Sequence, residues 1–392
     1  MRPSPPFHLL VKPTGARCNL SCRYCFYLAK ARLYPEGRFR MSEEVLEAFI
    51  GQYLRSQQGP SVTIAWQGGE PALMGLAFFE RAMELVEEYR RPGTRVEHTF
   101  QTNGTLLDDA WCRFFRAHDV LVGISLDGPR AYHDVFRVDR QGRGSFERVM
   151  AGLRLLQRHG VEHNLLACVH AANADHPREV YRFFRDEAGA RFIQFIPVVE
   201  PDGHGGAAEF SVRPVQWGRF LRGVFDEWVR RDVGSVFVRH FDAALAAWAG
   251  YPPAACIFAP TCGTAFALEH TGDLYACDHF VDPDHRLGSI MEQPLADLAA
   301  SARQARFGRM KLENLPARCL TCRWRPACHG ECPKNRVVGT PGGEPGLNYL
   351  CEGYQAYFAH IDRPMRRMAA LIRAGKPAAA VMGETAPHKS GS

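Results

Sequence analysis

Three cysteines stand at C-x3-C-x2-C spacing in Cys18-Asn19-Leu20-Ser21-Cys22-Arg23-Tyr24-Cys25, directly after an apolar run, Phe7 to Val11, that reads as a strand. Thiolates held this close on one loop suit the corner irons of a 4Fe–4S cube. The cube takes four ligands and the loop offers three, so one iron is left open for something that is not a cysteine. Zinc suits the loop poorly, because structural zinc sites close a tetrahedron from paired C-x2-C units. Eight more cysteines crowd the C-terminal part: Cys256, Cys262, Cys277, Cys319, Cys322, Cys328, Cys332 and Cys351. They suffice for two fully ligated cubes, whose irons have no vacancy for substrate and whose job is to move electrons. Paired zinc ribbons are the alternative for these eight, and spacing alone does not pair them. Cys112 and Cys168 remain, inside a helical and a strand pattern, where apolar packing accounts for them.

The elements that must position the first loop alternate strand with helix. Strand-like runs are Phe7–Val11, Val62–Trp66, Val96–Gln101, Leu121–Leu126, Val161–His170 and Phe192–Val199. Between them, Ser42 can cap a helix carrying Val45, Phe49 and Tyr53 on one face, and Asp108 can cap another through Trp111 and Phe115. Leu76, Phe79, Met83 and Val86 recur at helical steps, as do Phe146, Val149, Leu153 and Leu156. Six such alternations predict an α/β fold with a parallel sheet, curled into a partial (β/α)6 TIM-like barrel. Chemistry then sits at the carboxyl ends of the strands. Polar tips fall there: Gln67-Gly68-Gly69-Glu70-Pro71, Gln101-Thr102-Asn103-Gly104 and Ser125-Leu126-Asp127-Gly128-Pro129, with Gln194 on the sixth run.

Composition bounds the rest. The chain of 392 residues is 46% apolar and 23% charged, which suits more than one soluble domain. Residues 1–12 carry three prolines and no long apolar core, so no secretory signal is expected there. No apolar run reaches the ~18 residues a membrane span needs, and a cytoplasmic protein is expected. Thirteen cysteines in a chain of this size, in a reducing compartment, fit metal clusters better than disulfides. A net charge of +6 does not by itself imply nucleic acid, and no nucleic-acid module is visible. A composition shift near Tyr251-Pro252-Pro253 divides the chain into 1–250, 251–375 and a patternless tail, 376–392, expected to be disordered.

The cysteine triad, with Tyr24 before its third member, resembles the signature of the radical S-adenosylmethionine (SAM) superfamily. That resemblance implies that the open iron chelates SAM, whose reductive cleavage yields a hydrogen-abstracting 5′-deoxyadenosyl radical. It also implies that Gly68-Gly69-Glu70 binds the amino group of SAM. The tips bearing Gln101 and Ser125 are then suited to its ribose and carboxylate, and Arg137 to a bidentate pair with that carboxylate. Tyr24 and Gln67 join them as contacts. The tract from Cys319 to Cys332, followed by Cys351, resembles the SPASM extension of peptide-modifying radical SAM enzymes. In that pattern Cys256, Cys262, Cys277 and Cys332 hold one auxiliary cluster, and Cys319, Cys322, Cys328 and Cys351 the other.

Several segments together resemble the anaerobic sulfatase-maturating enzymes. They include Lys12-Pro13 with the triad and its Phe26-Tyr27 tail, Trp66 to Pro71, Gln101 to Gly104 and Gln194 to Pro197. Cys277-Asp278-His279-Phe280-Val281, Cys332 to Arg336 and Gly346 to Cys351 complete the set. The resemblance implies SAM and three 4Fe–4S clusters as cofactors. It implies oxidation of a Cys or Ser in a sulfatase polypeptide, in a C/S-x-P/A-x-R type motif, to Cα-formylglycine. Reduced ferredoxin or flavodoxin is the implied electron donor, with no nucleic acid or membrane partner. Asp278 takes the general-base role, beside the proposed cluster ligand Cys277. Another SPASM enzyme, forming thioether cross-links, is the competing expectation; many of those carry a peptide-recognition domain before the triad, and here seventeen residues precede Cys18. A plain ferredoxin-like carrier would leave the Gly-Gly-Glu turn and the open iron without purpose.

Overall fold

The computed structural model describes residues 6–203, 206–253 and 255–385. Its strands are β1 (His8–Lys12), β2 (Ser61–Trp66), β3 (Arg95–Thr102), β4 (Leu121–Ser125), β5 (His163–Val169), β6 (Phe192–Pro197), β7 (Phe237–Val238), β8 (Ala265–Glu269), β9 (Asp273–Tyr275) and β10 (Arg286–Ser289). The first six lie within two residues of the expected runs. Each is followed by helix, which is the alternation of the partial (β/α)6 architecture. The chain packs as two compact units. One comprises Met1–Ser125, Asp134–His163 and Cys262–Met310; the other comprises Leu126–His133, Asn164–Thr261 and Lys311–Ser392.

In the first unit the strand order is β10-β9-β8-β1-β2-β3-β4. Strands β1 to β4 run parallel, and β8 joins β1 in parallel, setting Lys12 beside Glu269. The short strands β9 and β10 add on antiparallel. This extension was not anticipated: runs of three to five residues in a turn-rich tract give no usable periodicity. The core is aromatic. Phe79 lies 5.3 Å from Trp66, 5.1 Å from Phe100 and 5.6 Å from Trp111, ring centre to centre, in tilted or edge-on geometries. The helix that carries Trp111, and the helix Glu43–Ser56, start where the sequence places caps. Ser42 Oγ accepts from Val45 N at 3.3 Å, and Asp108 Oδ1 accepts from Trp111 N at 2.9 Å.

The second unit holds β5-β6-β7, all parallel, and two long helices, Pro214–Arg231 and Cys351–Arg373. These helices meet glycine to glycine: a Cβ on Gly218 would lie 2.7 Å from Gly353 O, and one on Gly353 2.3 Å from Pro214 O. Any side chain at either position would force the backbones apart. Within the expected tail, Ala378–Val381 forms a 3-10 turn with Val381 buried; residues 386–392 lie outside the described residues. Among the described residues no helix is long and apolar enough to cross a membrane.

Candidate active site

The loop carrying Cys18, Cys22 and Cys25 leaves the end of β1 and is held from two sides within the first unit. On one side the β2 turn grips its start: Gly69 N donates to Gly15 O at 2.8 Å and Glu70 N to Arg17 O at 2.9 Å. A Cβ on Gly69 would fall 1.9 Å from Arg17 O, so only glycine permits this approach. On the other side Ser21 N donates to Val138 O at 2.8 Å and Arg23 N to Phe136 O at 3.0 Å. Asn19 is fixed by Asn103 Nδ2 at 2.8 Å and donates to Thr105 Oγ1 at 2.8 Å. None of the three cysteines is in a disulfide. Cys18 Sγ accepts from Leu20 N at 3.4 Å and from Asn103 Nδ2 at 3.7 Å. Burial pushes the Cys18 thiol up to about 11, with the Glu70 charge adding to it. A bare thiolate is therefore disfavoured, while the two N–H donors await a sulfur whose charge is shared with a metal. The loop fits a cluster with three cysteine ligands.

The expected SAM contacts lie on the same unit. Gln67, Gly68 and Gly69 are partly exposed, whereas Glu70 is fully buried. Its carboxylate accepts from Thr102 Oγ1 at 2.8 Å, Asn103 N at 2.8 Å and Ala72 N at 3.0 Å. Burial pushes the Glu70 carboxyl up to about 7, against the pull of those hydrogen bonds and of Arg137. Glu70 thus braces the β2 turn to the tip of β3, while Gln67 remains partly exposed beside it. Gln101 Nε2 donates to Ser125 Oγ at 3.1 Å, pairing the tips of β3 and β4. The Arg137 guanidinium is buried and lies 5.8 Å from the centre of the Tyr24 ring, a cation–π placement.

Asp278 follows β9 and is ion-paired with Lys12 at the end of β1. Burial pushes the Asp278 carboxyl up, but the neighbouring Lys12 and His279 outweigh it and hold it below the usual carboxylate range. Lys12 Nζ also lies 4.6 Å over the Tyr27 ring, whose hydroxyl donates to Glu269. The sequence reading includes Lys12 and Tyr27 among the motif segments but gives Lys12 no partner. A lysine closing an otherwise apolar strand was the available signal.

In the second unit Cys319, Cys322, Cys328 and Cys351 line one cavity, together with Arg318 and Gln355. Among the described residues no three His, Cys, Asp or Glu converge tightly enough for a single metal ion. Gln355 Nε2 donates to Cys351 Sγ at 3.3 Å. The approach to Cys332 is a run of three left-handed residues: His329 (φ 47°), Gly330 (φ 71°) and Glu331 (φ 54°). Such backbone is strained for side-chain-bearing residues, and Arg336 holds it by donating to His329 O at 2.9 Å and Gly330 O at 3.0 Å. Cys256 is in this unit too, with Lys311 Nζ on its carbonyl at 2.7 Å. Cys262 and Cys277 belong to the first unit, and Cys112 is fully buried there in its core. The ring of four thiols fits a fully ligated cluster, and hydrogen bonds to cysteine sulfur raise such a cluster's reduction potential. Gln355→Leu is accordingly expected to move one cluster's potential in the negative direction in an EPR-monitored redox titration, with iron content retained.

Residues 13–184 match the family model of the radical SAM superfamily, and residues 256–323 match that of an iron–sulfur cluster-binding domain, SPASM. The fold and the three-thiol loop define a radical SAM protein with a C-terminal cluster-binding region. A serine-type anaerobic sulfatase-maturating enzyme of Bacteroides thetaiotaomicron is 48% identical over 372 residues, covering 91% of this chain and 89% of that protein. A cysteine-type counterpart from Clostridium perfringens is 33% identical, covering 91% of this chain and 96% of that one. The solved structure of native anSMEcpe with bound AdoMet and Cp18Cys peptide superposes with a TM-score of 0.85 at 32% identity, covering 94% of this chain and all of that one. The chain belongs to the anaerobic sulfatase-maturating enzyme family.

Proposed function

We propose that this protein oxidises one Ser or Cys of a sulfatase polypeptide to Cα-formylglycine. The observation that supports it most is a single unit carrying both the three-thiol loop and, beside Cys277, an acid held in the carboxylate form by Lys12. When bound, SAM and the first cluster supply the abstraction of a hydrogen atom from the target Cβ. The chain's residues then have three tasks. Tyr24, Gln67 to Glu70, Gln101, Ser125 and Arg137 shape and charge the SAM shelf. Asp278 accepts the proton of the target hydroxyl or thiol as the C=O or C=S bond forms. Eight cysteines, grouped as the family pattern implies, would hold two auxiliary clusters, three clusters in all, and these would supply an acceptor for the second electron. Serine yields the aldehyde directly, and cysteine yields a thioaldehyde that water converts to the aldehyde with release of hydrogen sulfide.

The target is presented in a C/S-x-P/A-x-R type motif, and a reduced ferredoxin or flavodoxin supplies the electron for SAM cleavage, in the cytoplasm. Residues 1–250 carry the SAM chemistry and 251–375 the auxiliary clusters. The higher identity to a serine-type relative supports acceptance of serine. The anaerobically reconstituted protein, given SAM and a Ser-type peptide, is expected to produce a mass loss of about 2 Da with an aldehyde that a hydrazide traps. The matching Cys-type peptide would lose about 18 Da. A 2 Da loss with no trappable aldehyde would instead indicate a cross-link and contradict the proposal.

A further inference from the structure

We infer that Lys12 is a positioning residue for the reaction, fixing the Asp278 carboxylate relative to the SAM-binding turn and the cysteine loop. Three motifs distant in sequence meet on this one side chain. Its backbone ends β1 in register with Glu269 of β8, the strand that leads through β9 to Cys277 and Asp278. Its aliphatic stem runs beneath the β2 turn: a Cβ on Gly68 would stand 3.3 Å from Lys12 Cδ and 3.4 Å from Lys12 Cα. The absent side chain of Gly68 (φ +129°) therefore makes room for the lysine as well as for the turn. Its ammonium then reaches the Tyr27 ring, just past the third cysteine, and pairs with Asp278.

Lys12 is 2% exposed and Asp278 19%, so this is an ion pair set largely apart from water. A pair so placed is poor evidence for stability, because desolvation offsets attraction, but removing one partner leaves the other uncompensated and free to turn away. Tyr27 is in turn held by Glu269, and Glu269 Oε2 lies 3.1 Å from His270 Nδ1. Through the Tyr27 ring the lysine links this anionic group to Asp278. Asp278 carries the proton transfer, and Lys12 decides where its oxygens stand when the target arrives.

The inference rests on the reading of Asp278 as the base, and two variants separate them. Lys12→Met keeps the length and the apolar stem and deletes the charge. It is expected to retain iron content, the SAM-induced change in the cluster EPR signal and a near-native KM for the peptide. Its kcat for formylglycine should fall roughly 10- to 100-fold, part of the range general-base catalysis commands. The ratio of 5′-deoxyadenosine released to formylglycine formed should rise, because SAM is still cleaved while the proton acceptor is displaced. A purely structural lysine would not change that ratio. Wild-type kcat and ratio in Lys12→Met, with Asp278→Asn inactive, would overturn this inference alone. Wild-type turnover in Asp278→Asn would overturn the base itself. Loss of iron from both Lys12→Met and Lys12→Gln would assign the lysine to folding and likewise overturn the inference.

Discussion

Asp278→Asn is expected to lower formylglycine formation by roughly 10²- to 10⁴-fold, the usual span for removal of a positioned general base. The substitution is nearly isosteric, and its amide oxygen can still accept from Lys12, so the arrangement around Tyr27 and Glu269 should persist. What disappears is an oxygen able to take the target's proton. Iron content and uncoupled release of 5′-deoxyadenosine should stay close to wild type, because the hydrogen bonds that hold the triad loop come from the β2 turn, Phe136, Val138 and Asn103 rather than from Asp278. The check is a paired measurement of both products on one anaerobic reaction, by mass spectrometry and chromatography. Formylglycine at the wild-type rate would remove Asp278 from the mechanism.

Gly69→Ala is expected to be just as damaging for a different reason. The added methyl would sit 1.9 Å from Arg17 O and 2.4 Å from Arg17 C, both backbone atoms one residue before Cys18. No rotamer change relieves a backbone clash, so the turn and the loop must separate. Their two cross-bonds, Gly69 N to Gly15 O and Glu70 N to Arg17 O, go with them. The variant should lose the first cluster, about four irons per chain, and with it all SAM cleavage. The thiols of the second unit are untouched and should keep their iron. Gly342→Ala is the control, because the nearest atom beyond its two chain neighbours, Thr340 Oγ1, would lie 3.8 Å from the added methyl. Full iron and normal SAM cleavage in Gly69→Ala would show that the turn does not clamp the cysteine loop.

The parts of this protein dictated by residue type were readable before any coordinates. Thiols at fixed spacing, paired glycines at a strand end and capping Ser42 and Asp108 each have few physical explanations, and the structure places the caps where the sequence does. What the sequence concealed is non-local. Lys12 and Asp278 are brought together by the parallel pairing of β1 with β8, and short strands in a cysteine-rich tract carry no period to announce that pairing. Glu70 offers the reverse lesson. Its place in a Gly-Gly-Glu turn at a strand end was legible, but its burial, and the three donors that claim its carboxylate, depend on the β3 tip folding over it and on its own turn.

The most direct test is to supply a target peptide whose reactive residue carries deuterium at both Cβ positions and to follow the label. Formylglycine should form with deuterium transferred from Cβ into 5′-deoxyadenosine, as one hydrogen atom leaves carbon and one proton leaves oxygen or sulfur. Formylglycine accompanied by wholly unlabelled 5′-deoxyadenosine would mean that the hydrogen is taken elsewhere, and the account of this site would fail.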